Sequence, residues 1–324
     1  MAALTASLLP ASAQRNEFAA PPEAEEDTGP VRKEPSFFHR PEKETPAGQW
    51  AYANDLLRAG EAREAEKQFN ALVHAWHESP EAVEAQLAYS RLLEKRGKFT
   101  KAFQAYQYLI DFFAGQFPYQ EVLDRQFRIA NHIATRRHMA FLFFDGFRAP
   151  EDALPYYRKI VENAPEWPRA AEVLFRVGHI YEESGRLDEA IEAYETIEDR
   201  YADSAVAASA LLRNGLCRYR KATRRGRNEE LIREALFRLD RFIDKHSRHP
   251  GIEQAMTARD DLEGRLAEMR YRRAVYYDRT ERRPQAALIA YKEFVRRHPS
   301  SSWAADASRR IEEIETEMEM RNVD

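Results

Sequence analysis

The feature that most constrains this chain is a run of residues that recurs along it. The segments Gly60-EAREAEKQFNALV, Gly97-KFTKAFQAYQYLI and Gly185-RLDEAIEAYETIE share one pattern. Each has a Gly, an Ala five residues on, an aromatic residue four later and an aliphatic residue three after that. Related runs start at Glu151, Arg233 and Pro284. With the alanine as anchor, the copies fall at Ala65, Ala102, Ala153, Ala190, Ala235 and Ala287, in steps of 37, 51, 37, 45 and 52 residues.

The residue types have physical reasons. A small side chain is needed where two antiparallel helices cross closely. The aromatic residue four positions on lies on the same helical face and fills the neighbouring layer. Gly lets the chain reverse between helices at positive φ. A stop follows each run: Pro80, Pro118, Pro165, Ser204, Pro250 and Pro299, and proline cannot continue a helical hydrogen-bond ladder. Leu174, Val177, Gly178 and Tyr181, followed by Gly185, Ala190 and Tyr194, fit the tetratricopeptide pattern with Leu in place of its Trp. The expected fold is an all-α tetratricopeptide-repeat α-solenoid: a right-handed superhelix of about five helix pairs with a concave inner wall and almost no strand. Its helices are expected from Trp50 to about Met318, with the acidic segment Ile311–Met320 capping the array.

Composition sets the remaining boundaries. Seven of the 16 prolines lie in residues 1–49. Residues 1–13 are apolar and small and end in Ala11-Ser12-Ala13, which reads as a signal segment cut short of its usual basic n-region. Residues 14–49, rich in proline and charge, read as a disordered linker. The repeat domain is expected over 50–320. Phe37-Phe38 stands out in the linker, either as a tail pair that packs back on the first repeat or as a short docking motif. No apolar run approaches the ~20 residues of a membrane-spanning helix.

The net charge of −4 hides an asymmetry. Residues 205–310 hold 25 Lys and Arg against 14 Asp and Glu, and the remainder holds 25 against 40. Arg224 and Arg225, Arg272 and Arg273, and Arg282 and Arg283 sit in clusters suited to forked pairing with an acidic partner domain, weighed against a solvated surface paired within the chain. No nucleic-acid fold signature accompanies them, so nucleic acid is not an expected partner. Counting back from the alanines places Trp50, Asn54 and Arg58, and then Leu87, Arg91 and Lys95, on the concave wall, where they could hold an extended peptide. Phosphate-loop, dinucleotide, zinc-protease and nucleophile-elbow motifs are absent, so neither an enzyme nor a cofactor is expected. His74/His77 and His246/His249 lack the companion ligands of a metal site, and Cys217, inside an apolar helical run, reads as a core residue.

The last repeat carries a more specific resemblance. Ala274-Val-Tyr-Tyr277, then Ala286-Ala-Leu-Ile-Ala-Tyr-Lys-Glu-Phe-Val295 and His298-Pro-Ser300, resemble the final repeat of the BamD (YfiO) outer-membrane assembly lipoproteins. The similarity runs from about Trp50 to Met318. It implies a non-enzymatic scaffold in the periplasm at the inner face of the outer membrane. Such a scaffold binds the barrel assembly protein's periplasmic domains through its C-terminal repeats and outer-membrane protein substrates, by their C-terminal signals, near its N-terminal ones. The family carries an acylated cysteine after its signal. Here Cys217 is the only cysteine, so a lipid anchor is not expected. Two other readings are a Tol–Pal accessory-type coordinator of envelope constriction and a cytosolic peptide-binding co-chaperone. The proline-rich segment 14–49 cannot form the coiled coil usual in the former.

Overall fold

The anchor alanines lie where helices cross. In the computed structural model, which describes residues 30–138, 147–224 and 228–323, Ala65, Ala102, Ala153, Ala190, Ala235 and Ala287 are all 0% exposed. The residues four positions on (Phe69, Tyr106, Tyr157, Tyr194, Leu239 and Tyr291) and seven on (Leu72, Leu109, Ile160, Ile197, Phe242 and Phe294) are buried with them. The signal segment 1–13, residues 14–29 of the linker and Arg225 lie outside the described residues.

Thirteen α-helices form among the described residues, in two compact units divided between Phe117 and Pro118. The first unit holds α1 (Pro46–Arg58), α2 (Ala62–Ala75), α3 (Pro80–Lys95) and α4 (Phe99–Phe112). The second holds α5 (Tyr119–Thr135), α6 (Leu154–Asn163), α7 (Ala170–Glu183), α8 (Leu187–Arg200), α9 (Ala207–Arg224), α10 (Glu229–Lys245), α11 (Ile252–Val275), α12 (Pro284–Arg297) and α13 (Ala304–Val323). Consecutive helices pair from α1/α2 to α11/α12, giving six pairs where about five were expected, and α13 packs on α12. The only strands among the described residues are a short antiparallel pair, Arg137–His138 with Phe147–Arg148, between α5 and α6.

Local chemistry sets the helix ends. Gly60, Gly97 and Gly185, at the turns inside pairs, have φ of 82°, 71° and 75°, a left-handed conformation that glycine adopts without a Cβ penalty. The chain turns helical four residues before Trp50. Thr45 caps α1 by accepting from the Gly48 backbone N–H (3.1 Å), and Pro46 occupies the first turn, where its missing N–H costs nothing.

The first helix of each pair must be small where the second crosses it. A Cβ built on Gly178 of α7 would lie 2.6 Å from a ring carbon of Tyr194, and one on Gly215 of α9 2.9 Å from Leu239. Ala53 and Ser90 occupy the matching place, twelve residues before Ala65 and Ala102, and are fully buried. The tyrosine at the crossing is then closed by a polar group near the end of its partner helix. Tyr106 donates to Glu94 (2.8 Å), Tyr194 to Glu182 (3.1 Å) and Tyr157 to Asn131 (2.8 Å).

Gly178→Ala is expected to destabilise the chain by about 1–3 kcal/mol through overpacking against Tyr194. Gly264→Ala, in an exposed stretch of α11 with nothing within 4 Å of the new Cβ, should stabilise it by about 0.5–1 kcal/mol. Thermal melting of the two variants checks both signs.

Candidate protein-docking surfaces

In the first unit the six wall residues divide. Trp50 is half-buried, with its ring 5.2 Å from that of Phe69. Asn54 donates to the Trp50 carbonyl (2.7 Å), one turn back on its own helix. Arg58 is exposed and pairs with Asp55 (2.6 Å). On α3, Arg91 and Lys95 are exposed. Leu87 is only 4% exposed and belongs to the core. As a peptide contact it is corrected, because the packing of the unit needs that face of α3.

The same unit carries a feature that composition concealed. Part of the proline-rich segment read as linker is docked on α2, α3 and α4. The Lys33 amine donates to Asn70 Oδ1 (2.7 Å) and Gln86 Oε1 (2.6 Å) and lies 4.8 Å from the ring centres of Tyr89 and Tyr108. The Lys33 backbone N–H donates to the Tyr108 hydroxyl (2.9 Å), and His74 Nδ1 meets the Glu34 carbonyl (2.7 Å). Arg32 pairs with Glu78, and the His39 ring stacks on His74 at 4.0 Å. Phe37 and Phe38, the residues that drew notice in the sequence, are 72% and 88% exposed and do not pack back on the repeat. The His74/His77 pair faces this segment, and no group of three or more metal-ligating side chains occurs among the described residues.

In the second unit much of the arginine surplus is used internally. Glu182 of α7, nearly fully buried, accepts from Tyr194 and pairs with Arg213 (3.1 Å) and Arg220 (3.0 Å) of α9. Glu195 and Glu198 of α8 bind Arg218 of α9 and Arg238 and Arg241 of α10. Glu229 of α10 holds Arg270 and Arg273 of α11, both at 3.0 Å. Arg310 of α13 grips Asp278 with two parallel bonds (2.8 and 2.9 Å), a geometry that holds the Asp278 carboxyl below the usual range. Each link joins one helix pair to the next. The Cys217 thiol is buried, which pushes it up to about 12 and fits a core residue.

The docking arginines read from the sequence therefore differ in availability. Arg273 is bound to Glu229, Arg272 to Glu268 (2.5 Å) and Arg283 to Glu281 (3.5 Å), all with more than half of the side chain exposed. Arg224 is exposed at the end of α9, and Arg282 takes φ of 53° before α12. What sequence reasoning missed is where Arg273 leads. It lines a groove of about 450 Å³ among α10, α11 and α12, with Glu229, Arg233, Arg270, Arg297 and Ile289. Ile289 is 70% exposed. An apolar side chain ringed by arginines suits a partner with an apolar anchor in an acidic surround.

Paired helices with these crossings make this a tetratricopeptide-repeat protein, and residues 51–118 match that repeat directly. Residues 169–323, a little under half of the chain, match the YfiO family, described as outer membrane lipoprotein. The chain is thus a BamD-like tetratricopeptide-repeat protein. No curated protein matches it. Among solved structures, a tetratricopeptide repeat protein from Parabacteroides merdae is 13% identical over 84% of this chain and 99% of that one, with a TM-score of 0.30. The APC/C hetero-tetramer Cut9–Hcn1 is 15% identical over 83% of this chain and 43% of that one, with a TM-score of 0.25. The human IFIT1 dimer with PPP-AAAA is 12% identical over 86% and 65%, with a TM-score of 0.23. Among the described residues, no helix is long and apolar enough to cross a membrane.

The docked segment is expected to respond to pH. Burial holds His74 and His77 below their ordinary 6.5; Arg32 and Lys33 add to this at His77, and His39 and Lys33 at His74, while Glu78 opposes it at His77 and the Glu34 carbonyl at His74. Burial also pushes the Lys33 amine down to about 7. All three are depressed bases, so the undocked state binds more protons, and docking loses stability as pH falls. Hydrogen-exchange protection at the Lys33 amide, corrected for intrinsic rate, should drop between pH 7.5 and 5.5. Equal protection at both would contradict the assignment.

Proposed function

We propose that this chain is a non-enzymatic scaffold of outer-membrane β-barrel assembly, working in the periplasm at the inner face of the outer membrane. The second unit would hold the periplasmic domains of the barrel assembly protein. The first would meet the C-terminal signals of barrel substrates along Trp50, Asn54, Arg58, Arg91 and Lys95. The observation that carries this reading is a coincidence of position: the YfiO match over 169–323 contains the whole arginine-rimmed groove around Ile289. Repeat proteins of this type present surfaces to other proteins, and ion pairs to Glu229 tie α10 and α11 together at this surface, an arrangement that would lower the ordering cost of binding.

The reading gives a direct test. Ile289 is exposed and its replacement leaves the core intact. Ile289→Glu should reduce capture of the barrel assembly protein from an envelope fraction at least tenfold, a loss of about 1.4 kcal/mol, with an unchanged melting temperature. Capture equal to wild type would remove the groove from the interface.

A further inference from the structure

The docked N-terminal segment is read by the first unit in a particular way. Three successive residues, Arg32, Lys33 and Glu34, are met by a carboxylate, a hydroxyl and two amide oxygens, and an imidazole. Both backbone groups and side chains are engaged, as when a groove recognises an extended peptide. The centre of the contact is the Lys33 amine. Among the described residues it has no carboxylate partner. Two of its donor positions go to Asn70 and Gln86, and two tyrosine rings flank it. Gln86 is itself fixed, since its amide nitrogen donates to the Ala105 carbonyl (2.8 Å) and leaves the oxygen aimed at the lysine.

The segment's own apolar side chains contribute little to this docking. Val31 is 80% exposed, and Phe37 and Phe38 remain in solvent. A segment serving only to complete the core would bury such groups. The attachment rests on one lysine side chain, two backbone groups, an ion pair and a ring stack, which makes it exchangeable.

We propose that α2, α3 and α4 form a binding site for an extended lysine-bearing segment of another polypeptide, with Asn70, Gln86, Tyr89 and Tyr108 as the lysine socket and Arg32–Glu34 as its resident occupant. The site goes beyond the scaffold reading and does not depend on which machine the chain serves. Tethering gives the resident segment an effective concentration on the order of millimolar, so an incoming segment binds weakly until the resident one is released. The socket selects a lysine amine. An acetylated lysine is neutral and keeps one N–H, too few to serve both amide oxygens, and the planar guanidinium of arginine does not present a single amine between two oxygens and two rings.

The test uses the full chain and a fluorescent peptide spanning residues 29–40. In the Arg32→Ala/Lys33→Ala chain the resident segment is weakened, and the peptide should bind at least tenfold more tightly than to wild type. Replacing the peptide lysine by acetyl-lysine or arginine should abolish that gain, as should adding Asn70→Ala or Tyr108→Phe to the chain. No gain over wild type, or equal binding of the arginine peptide, would overturn the proposal; the latter would mean general charge attraction. A measurement on the unaltered chain guards against misfolded variants. Trypsin, which must take the lysine side chain into its own pocket, should cut after Lys33 far more slowly than after the exposed Lys43, and equal cleavage at the two would equally refute the docked socket.

Discussion

The close crossing of paired helices at a small residue is the contact on which the rest depends. At Gly178 there is no room for even one more carbon beside Tyr194. Ala53, Ser90 and Gly215 hold the matching place in other pairs. Helices this close bury a full aromatic ring at the second position and bring a carboxylate or amide of the first within reach of its hydroxyl. The crossing therefore sets both the packing and the polar closure of a pair. Leaving a buried tyrosine hydroxyl without a partner would cost about 1–3 kcal/mol, so the two features belong together.

Once pairs are fixed in this way, their joining becomes an electrostatic matter. Glu182, Glu195, Glu198, Glu229 and Asp278 each receive arginines from the following repeat or from the closing helix. Exposed single pairs contribute roughly 0–1 kcal/mol. These are shared carboxylates in partly buried seams, where losing one partner leaves a charge uncompensated. The positive balance of residues 205–310 is therefore largely a means of holding repeats in register. At the groove around Ile289, arginines surround an exposed apolar side chain, so there the basic residues border an open apolar surface as well as linking repeats.

Much of the architecture was legible in the sequence because its cause is local. An alanine, an aromatic and an aliphatic residue at fixed spacing have one face to occupy, and all six anchors are buried as that spacing requires. The start of α1 was legible too, in Thr45-Pro46, although proline-rich composition drew attention elsewhere. Other features arise between distant positions and leave no local pattern. Arg218 meets Glu195 from 23 residues away and Arg238 meets it from 43, so the sequence left both partner docking and pairing within the chain open for these clusters. Lys33 reaches Gln86 across 53 residues, and one inserted lysine does not show in composition. Leu87 was misplaced because the face counted as wall is partly core.

On the proposed function, the second unit meets its protein partner through the groove at Ile289. Site-specific photo-crosslinking in envelopes of the native cell tests it most directly. A photoreactive residue at position 289 should form an adduct with the barrel assembly protein, whereas one at Phe237, which is 65% exposed and does not line the groove, should not. No adduct from position 289, or equal adducts from both positions, would show that the partner does not seat at this groove.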